Sequence, residues 1–213
     1  MSRLSSAFLS SLLAALLLSG CQGGSPGAGP SETSTTTASP TLSVSSPATS
    51  ATSGTPGAYK PADAKGKAQN VPVPVMPELA RENSKAGLEA FIGYWYATYS
   101  YATETGDLEP WLQTTDTSNT LAATYKKALE RNYSDGRWMV GGQISTPVIE
   151  VNWTEDATTQ EAKVQVIQSG IQYFNADGTQ GRETTPSSNI AEAVFVRFTG
   201  GSWMVVNNGL IVG

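Results

Sequence analysis

The apolar residues of this chain change period at Trp138. Before it they recur at helical spacing, and after it they alternate. Leu88, Phe91, Ile92, Trp95, Tyr99 and Ala102 fall on one stripe. The stripe predicts a helix that starts near Met76-Pro77-Glu78-Leu79, with Pro77 at its first position, and runs to about Thr105. Tyr94, Thr98 and Tyr101 lie round its side, so this helix must be covered on more than one face. Gly106 accepts the left-handed conformation that ends a helix. Asp107 then caps a short second helix over Leu108 to Leu112. A third runs from about Ser118 to Tyr133, with Leu121, Tyr125, Ala128 and Leu129 as its stripe.

From Trp138 the pattern is that of strands. Ile149, Val151 and Trp153 share one face of the first. Lys163 to Phe174 reads as one long strand whose alternation slips. Val164 and Val166 lie in one phase, and Ile167, Ile171 and Tyr173 lie in the other. Gly170 between them marks a bulge or bend. Asp177-Gly178 turns the chain into Ala191 to Phe198, where Val194, Val196 and Phe198 oppose Ala193, Phe195 and Arg197. Gly200-Gly201 makes a hairpin into Trp203 to Val206, and Asn207-Asn208-Gly209 breaks or bulges the last strand. Helices followed by strands argue for α+β. The expected form has the N-terminal helices in the concave face of a curved antiparallel sheet of about four strands, which makes a cone.

The N-terminus constrains location. Met1-Ser2-Arg3 carries one basic side chain, and Ala7 to Leu18 is an apolar run of signal-peptide length. A membrane span needs about 20 apolar residues, more than this run offers. Leu18-Ser19-Gly20-Cys21 puts two small residues before the single cysteine and resembles the bacterial lipobox. That resemblance implies cleavage before Cys21 and diacylation of its sulfur, with palmitate as the kind of chain. Two or more lipid chains give stable anchoring where one does not. Gln22 to about Pro56 is Gly, Ser, Thr, Pro and Ala, too apolar-poor to offset its chain entropy. Val71-Pro72-Val73-Pro74-Val75 is held extended by its prolines and leads into the domain. The division expected is a lipoprotein signal peptide over 1–20, a lipidated Cys21 with a disordered linker over 21–72, and a folded domain over 73–213. About 50 residues of such linker reach roughly 40 Å from the membrane.

Composition narrows the chemistry. A net charge of −5 argues against a nucleic-acid partner. With one cysteine no intramolecular disulfide forms, so packing alone stabilises the domain. The absence of histidine removes the commonest general base and most zinc sites. No catalytic constellation, metal site or cofactor motif is expected.

The stretch from Met76-Pro77-Glu78-Leu79-Ala80 through Tyr101-Ala102-Thr103-Glu104-Thr105-Gly106-Asp107 resembles a family of actinobacterial lipoproteins with a domain of unknown function. Lipobox, linker and domain match it in order. The element order itself resembles the nuclear-transport-factor-2-like, or SnoaL-like, cone fold. Members of the lipoprotein family often carry a cysteine pair after the short helix. Here Thr117-Ser118-Asn119-Thr120 stands there, so that disulfide is absent.

The resemblance implies a pocket at the mouth of the cone. Tyr94, Tyr101 and Trp111 are the candidate lining, while Trp95 and Tyr99 at helical spacing read as core. Arg197 is the candidate clamp, on the supposition that its face meets the helices, and Glu192 on the other face reads as solvated. The favoured function is non-catalytic binding, of a small apolar ligand or of a protein at the envelope. Folds of this type often pair through the open sheet face, which makes a homodimer one arrangement. The alternative is an enzyme of the SnoaL or ketosteroid-isomerase type acting on a small apolar substrate, for which Asp107 and Glu104 with Tyr101 form the one nameable group. A pocket holding a buried carboxylate would favour the enzyme. A ring-filled interior with an exposed apolar sheet face would favour a protein partner.

Overall fold

The computed structural model describes residues 57–212. The signal peptide expected over 1–20, the lipidation expected at Cys21 and the linker expected as far as residue 56 lie outside the described residues.

A 3-10 turn at Glu78–Arg81 precedes the first helix, α1, which spans Lys85–Thr105. The single helix expected from Pro77 is therefore two elements. Ser84 divides them, because its side chain accepts the Gly87 N–H and so caps α1 itself. Gly106, at φ 81°, ends α1 as expected. Asp107 Oδ1 accepts the Glu109 N–H at the start of the short α2, Glu109–Leu112. Asn119 caps α3, Thr120–Tyr133, by accepting the Ala122 N–H at 2.8 Å.

Seven strands follow where about four were expected. They are β1 (Trp138–Gly141), β2 (Ile144–Asn152), β3 (Gln160–Gln168), β4 (Ile171–Phe174), β5 (Gln180–Thr185), β6 (Ser188–Thr199) and β7 (Ser202–Leu210). All pair antiparallel, in two sheets ordered β1-β4-β5 and β2-β3-β6-β7. The difference has a local cause. Three long strands are each interrupted once, at Gly142-Gln143, at Ser169-Gly170 and at Pro186-Ser187. The first two interruptions are bonded to each other. Gly142 N–H donates to Gly170 O at 3.2 Å, and Ser169 N–H donates to Gln143 O at 3.0 Å. Pro186 has no N–H to continue a ladder. Breaks in three neighbouring strands thus form one line across the sheet, and the slip in alternation between Val166 and Ile171 is the trace of that line.

α1 lies against β2 and β1, and α3 lies against β1 and β7. Leu88, Phe91, Ile92, Trp95 and Ala102 from α1 meet Val151, Ala162, Val164, Val194, Val196 and Val205 from the inner face of the larger sheet. Full burial of each such side chain contributes about 1.5–3 kcal/mol, so this interface is the main source of stability. Among the described residues no helix is long and apolar enough to cross a membrane.

The linker expected over 21–72 gives way to folded chain by residue 57. Lys60 and Gln69 exchange backbone hydrogen bonds at 3.0 and 2.9 Å, and Asp63 and Gly66 close the turn between them. This loop is fastened by Trp138 Nε1, which donates to Asp63 O at 2.9 Å, and by Lys67 over the Tyr133 ring. It buries few apolar groups. Backbone hydrogen bonds hold it, and composition does not report those.

Gly141 tests the bend. Its φ is +85°, and a Cβ there would lie 2.1 Å from Gly170 O. Gly200 has a similar φ of +62° and open space around it. Gly200→Ala should cost about 1 kcal/mol and Gly141→Ala about 2–4 kcal/mol, the excess being the collision. Chemical unfolding of both variants measures the difference, and equal losses would remove the close approach as the reason for glycine at 141.

Candidate functional site

The site begins with strand parity. On β6, Val194 and Val196 face the helices, so Glu192, one step earlier in the same phase, faces them too. Its exposure is 7%. Arg197 is in the opposite phase and exposed on the outer face. The sequence expectation is thus reversed: Arg197 is the solvated residue and Glu192 the buried one. Phe195 next to Arg197 made that face look like the core. The β-branched pair Val194 and Val196 was the better signal.

β7 supplies the second polar group through an irregularity. Phe195 pairs with Asn207, but Val196 pairs with Val205, so Val206 is an extra residue in β7. Trp203 and Val205 face inward, and the bulge turns Asn208 inward in place of Asn207. Asn208 lies opposite Val194, diagonal to Glu192, and its Nδ2 donates to Glu192 Oε2 at 3.2 Å. From α1 the Tyr96 hydroxyl donates to the same oxygen at 2.7 Å. Among the described residues no protein donor reaches Oε1, and Glu192 has no salt-bridge partner.

A cavity of about 140 Å³ lies beside this carboxylate. Trp95, Tyr96 and Tyr99 of α1 and Tyr125 of α3 line it with rings, Ile144, Val166 and Ile190 with aliphatic groups, and Gln168, Ser188 and Asn208 with polar ones. Ile144, Gln168 and Ser188 stand at the broken ends of β2, β3 and β6. The cavity therefore occurs at the line where the larger sheet ends. Its rings are fixed from behind. Trp95 Nε1 donates to Thr115 Oγ1 at 2.8 Å, and the Tyr99 ring packs on Trp111 and Tyr125 with centroids 5.5 and 5.6 Å away.

Burial raises the hydroxyl pKa of Tyr96 far above the ordinary tyrosine value, and the Glu192 charge raises it further. Burial raises those of Tyr99 and Tyr125 as well, with smaller contributions from Glu192. All three remain neutral hydrogen-bonding groups at physiological pH. No cluster of three His, Cys, Asp or Glu that could hold a metal occurs among the described residues.

None of the four residues singled out as lining or clamp borders this cavity. Tyr94 is half-buried on α1. Tyr101 donates to Asp107 Oδ2 at 3.3 Å at the exposed end of α1, away from Glu192. Glu104 accepts from the Tyr59 hydroxyl in the N-terminal loop. The Tyr101, Glu104 and Asp107 group is therefore a surface cluster. Trp111 is fully buried core, with Nε1 lacking a protein partner. Trp95 and Tyr99, expected as core, are both core and cavity wall. Tyr96 was missed because it lies off the main apolar stripe. The signal for it was the run Tyr94-Trp95-Tyr96, which turns aromatic groups to adjoining faces.

These features define a class: an α+β domain whose broken antiparallel sheet holds a carboxylate-bearing pocket under its helices. The chain belongs to a family of unknown function, DUF6318, whose model matches residues 57–209, from the fastened loop to β7. No curated protein matches it in sequence. Among solved structures it is similar to the intermembrane space region of the chloroplast protein ARC6, at 11% identity and a TM-score of 0.45 over 62% of this chain and 99% of that one. A protein assigned as a dehydratase of the NTF2-like family from Streptomyces avermitilis matches at 11% identity and a TM-score of 0.35, over 60% and 99%. One assigned as a polyketide cyclase from Pseudomonas putida matches at 16% and 0.30, over 56% and 91%. Each of these likenesses has a TM-score below 0.5 and carries no argument about fold or function.

The tyrosines set an alkaline limit. Their hydroxyl pKa values lie above the unfolded value of about 10, so the stability they contribute is complete below that pH and falls as pH rises beyond it. Unfolding monitored by absorbance and circular dichroism between neutral pH and about pH 12 should show tyrosinate from the buried rings appearing together with loss of structure. Full ionisation of all eight tyrosines near pH 10 in a still-folded domain would contradict the burial assigned to them.

Proposed function

We propose that this chain is an extracytoplasmic bacterial lipoprotein, of the actinobacterial kind it resembles, whose domain binds a small ligand in the cavity without transforming it. Cleavage after Gly20 and acylation of Cys21 would anchor it. The observation that carries the binding reading is the placing of Glu192, Tyr96 and Asn208 at the wall of an aromatic cavity open along the sheet break. Ile144, Gln168, Ser188 and Ile190 are only half-buried, which supports access from that side. A volume near 140 Å³ suits a ligand or ligand head of benzene size. The lining favours an amphipathic molecule over a wholly apolar one. A protein partner is the weaker reading, since the interior is not filled by rings.

A second reading is favoured by the same carboxylate. Glu192 Oε1 is free, and a free carboxylate in a ring-lined pocket is what proton abstraction beside a carbonyl requires. Against it, the Tyr96 hydroxyl is spent on Glu192 Oε2 itself and is not offered to a substrate oxygen.

Two measurements test these proposals. Cys21→Ala should move the protein from the membrane fraction to the soluble fraction with the domain still folded, and a variant that still pellets with membranes would end the anchor claim. Native mass spectrometry of protein taken from its own host should show extra mass lost on denaturation. A ligand returned chemically altered by the wild type, and unaltered by Glu192→Gln, would replace the binding reading with the enzymatic one. The same spectrum reads one chain or two, which tests pairing through the sheet.

A further inference from the structure

We infer that the ligand of this pocket is a methylated ammonium cation, or a molecule presenting such a head; this rests on the binding reading above. Three observations converge. The first is charge. Glu192 is a buried carboxylate whose two protein donors, Tyr96 and Asn208, are neutral. A buried charge is costly unless paired, and among the described residues no Lys or Arg lines the cavity to pair it. Arg197, five positions further along β6, is in the opposite phase and exposed on the far face of the sheet. A ligand cation would supply the missing charge.

The second is the wall. Trp95, Tyr96, Tyr99 and Tyr125 present four aromatic rings to one small cavity. The electron-rich ring faces attract a cation, and the attraction strengthens where water is excluded. Edge and tilted ring contacts hold this wall in shape, with Trp95 and Tyr96 meeting edge-on at 4.7 Å between centroids. A neutral apolar ligand would be served as well by aliphatic side chains and would leave the carboxylate unpaired. An anion would be repelled by it. A bare metal ion would find a single carboxylate, too few hard ligands to replace its water.

The third is size and hydrogen bonding. A cavity near 140 Å³ accepts a trimethylammonium head, whose methyl groups pack against rings and Ile144, Val166 and Ile190. Such a head offers no N–H donors. It therefore needs one carboxylate nearby and no set of convergent acceptors, as here.

The test compares choline with its tert-butyl analogue, in which carbon replaces nitrogen and the charge is lost at nearly constant shape. Binding to the full chain in a neutral detergent is followed by calorimetry and by tryptophan fluorescence. Choline should bind about tenfold or more tighter than the analogue. Glu192→Gln should abolish most of that preference, and Tyr99→Leu should reduce it with Glu192 intact. The wild-type comparison needs no variant, so misfolding of either one does not spare the proposal. Equal affinities for the two compounds would overturn the cation and leave a shape-selective binding pocket standing. Binding of neither at millimolar concentration would overturn the cation proposal, and the native mass measurement would then decide separately whether the pocket binds anything.

Discussion

The line along which the sheet breaks is the constraint on which the rest depends. Gly142-Gln143, Ser169-Gly170 and Pro186-Ser187 stop three neighbouring strands at the same level, and the first two pairs are hydrogen-bonded across the gap. A continuous sheet would keep its inner face at packing distance from α1 and α3 throughout, and interiors pack without voids. The break divides the strands into two sheets, β1-β4-β5 and β2-β3-β6-β7. The ends of β2, β3 and β6 then expose Ile144, Gln168 and Ser188 to a space that no side chain fills. The pocket is thus a consequence of backbone geometry before it is a matter of side chains.

Into that space the strands deliver polar groups by two separate devices. Regular alternation brings Glu192 inward with Val194 and Val196, and a one-residue bulge at Val206 brings Asn208 inward. The energetics are tight. Withdrawing a carboxylate from water costs several kcal/mol, and each hydrogen bond to a charged group returns about 1.5–3 kcal/mol. Two donors on Oε2 offset part of the cost, and among the described residues no protein donor reaches Oε1. A purely structural core would gain more from an apolar residue at 192. That a charge stands there, flanked by four rings, is the physical ground for reading the cavity as a site.

Much of the architecture was legible. The stripe from Leu88 to Ala102, the left-handed Gly106 and the strand phases from Ile149 to Val205 follow local rules of period and conformation. The order of helices and strands gave α+β. The candidate lining was less legible for a reason visible in single residues. Tyr94, Tyr101 and Trp111 are aromatic and near α1's flank, but which flank meets the sheet break depends on how α1 is rotated against β2. Tyr96 and Tyr125 meet at the cavity from two helices and Glu192 from a strand, and their sequence separations carry no mutual signal. The fastened loop at Lys60 to Gln69 was read as linker because its hold is in backbone hydrogen bonds and in one indole, that of Trp138.

The sequence by itself determined the element types, their order and the bend at Gly170, because each is encoded in neighbouring residues or in a short period. Only the tertiary structure decided that Arg197 is outside and Glu192 inside, that Asn208 replaces Asn207 on the inner face, and that three strand breaks align. Alternation fixes which residues share a face of a strand, but not which face is covered. That choice is made by the helices that pack there, and a bulge of one residue is enough to reverse it.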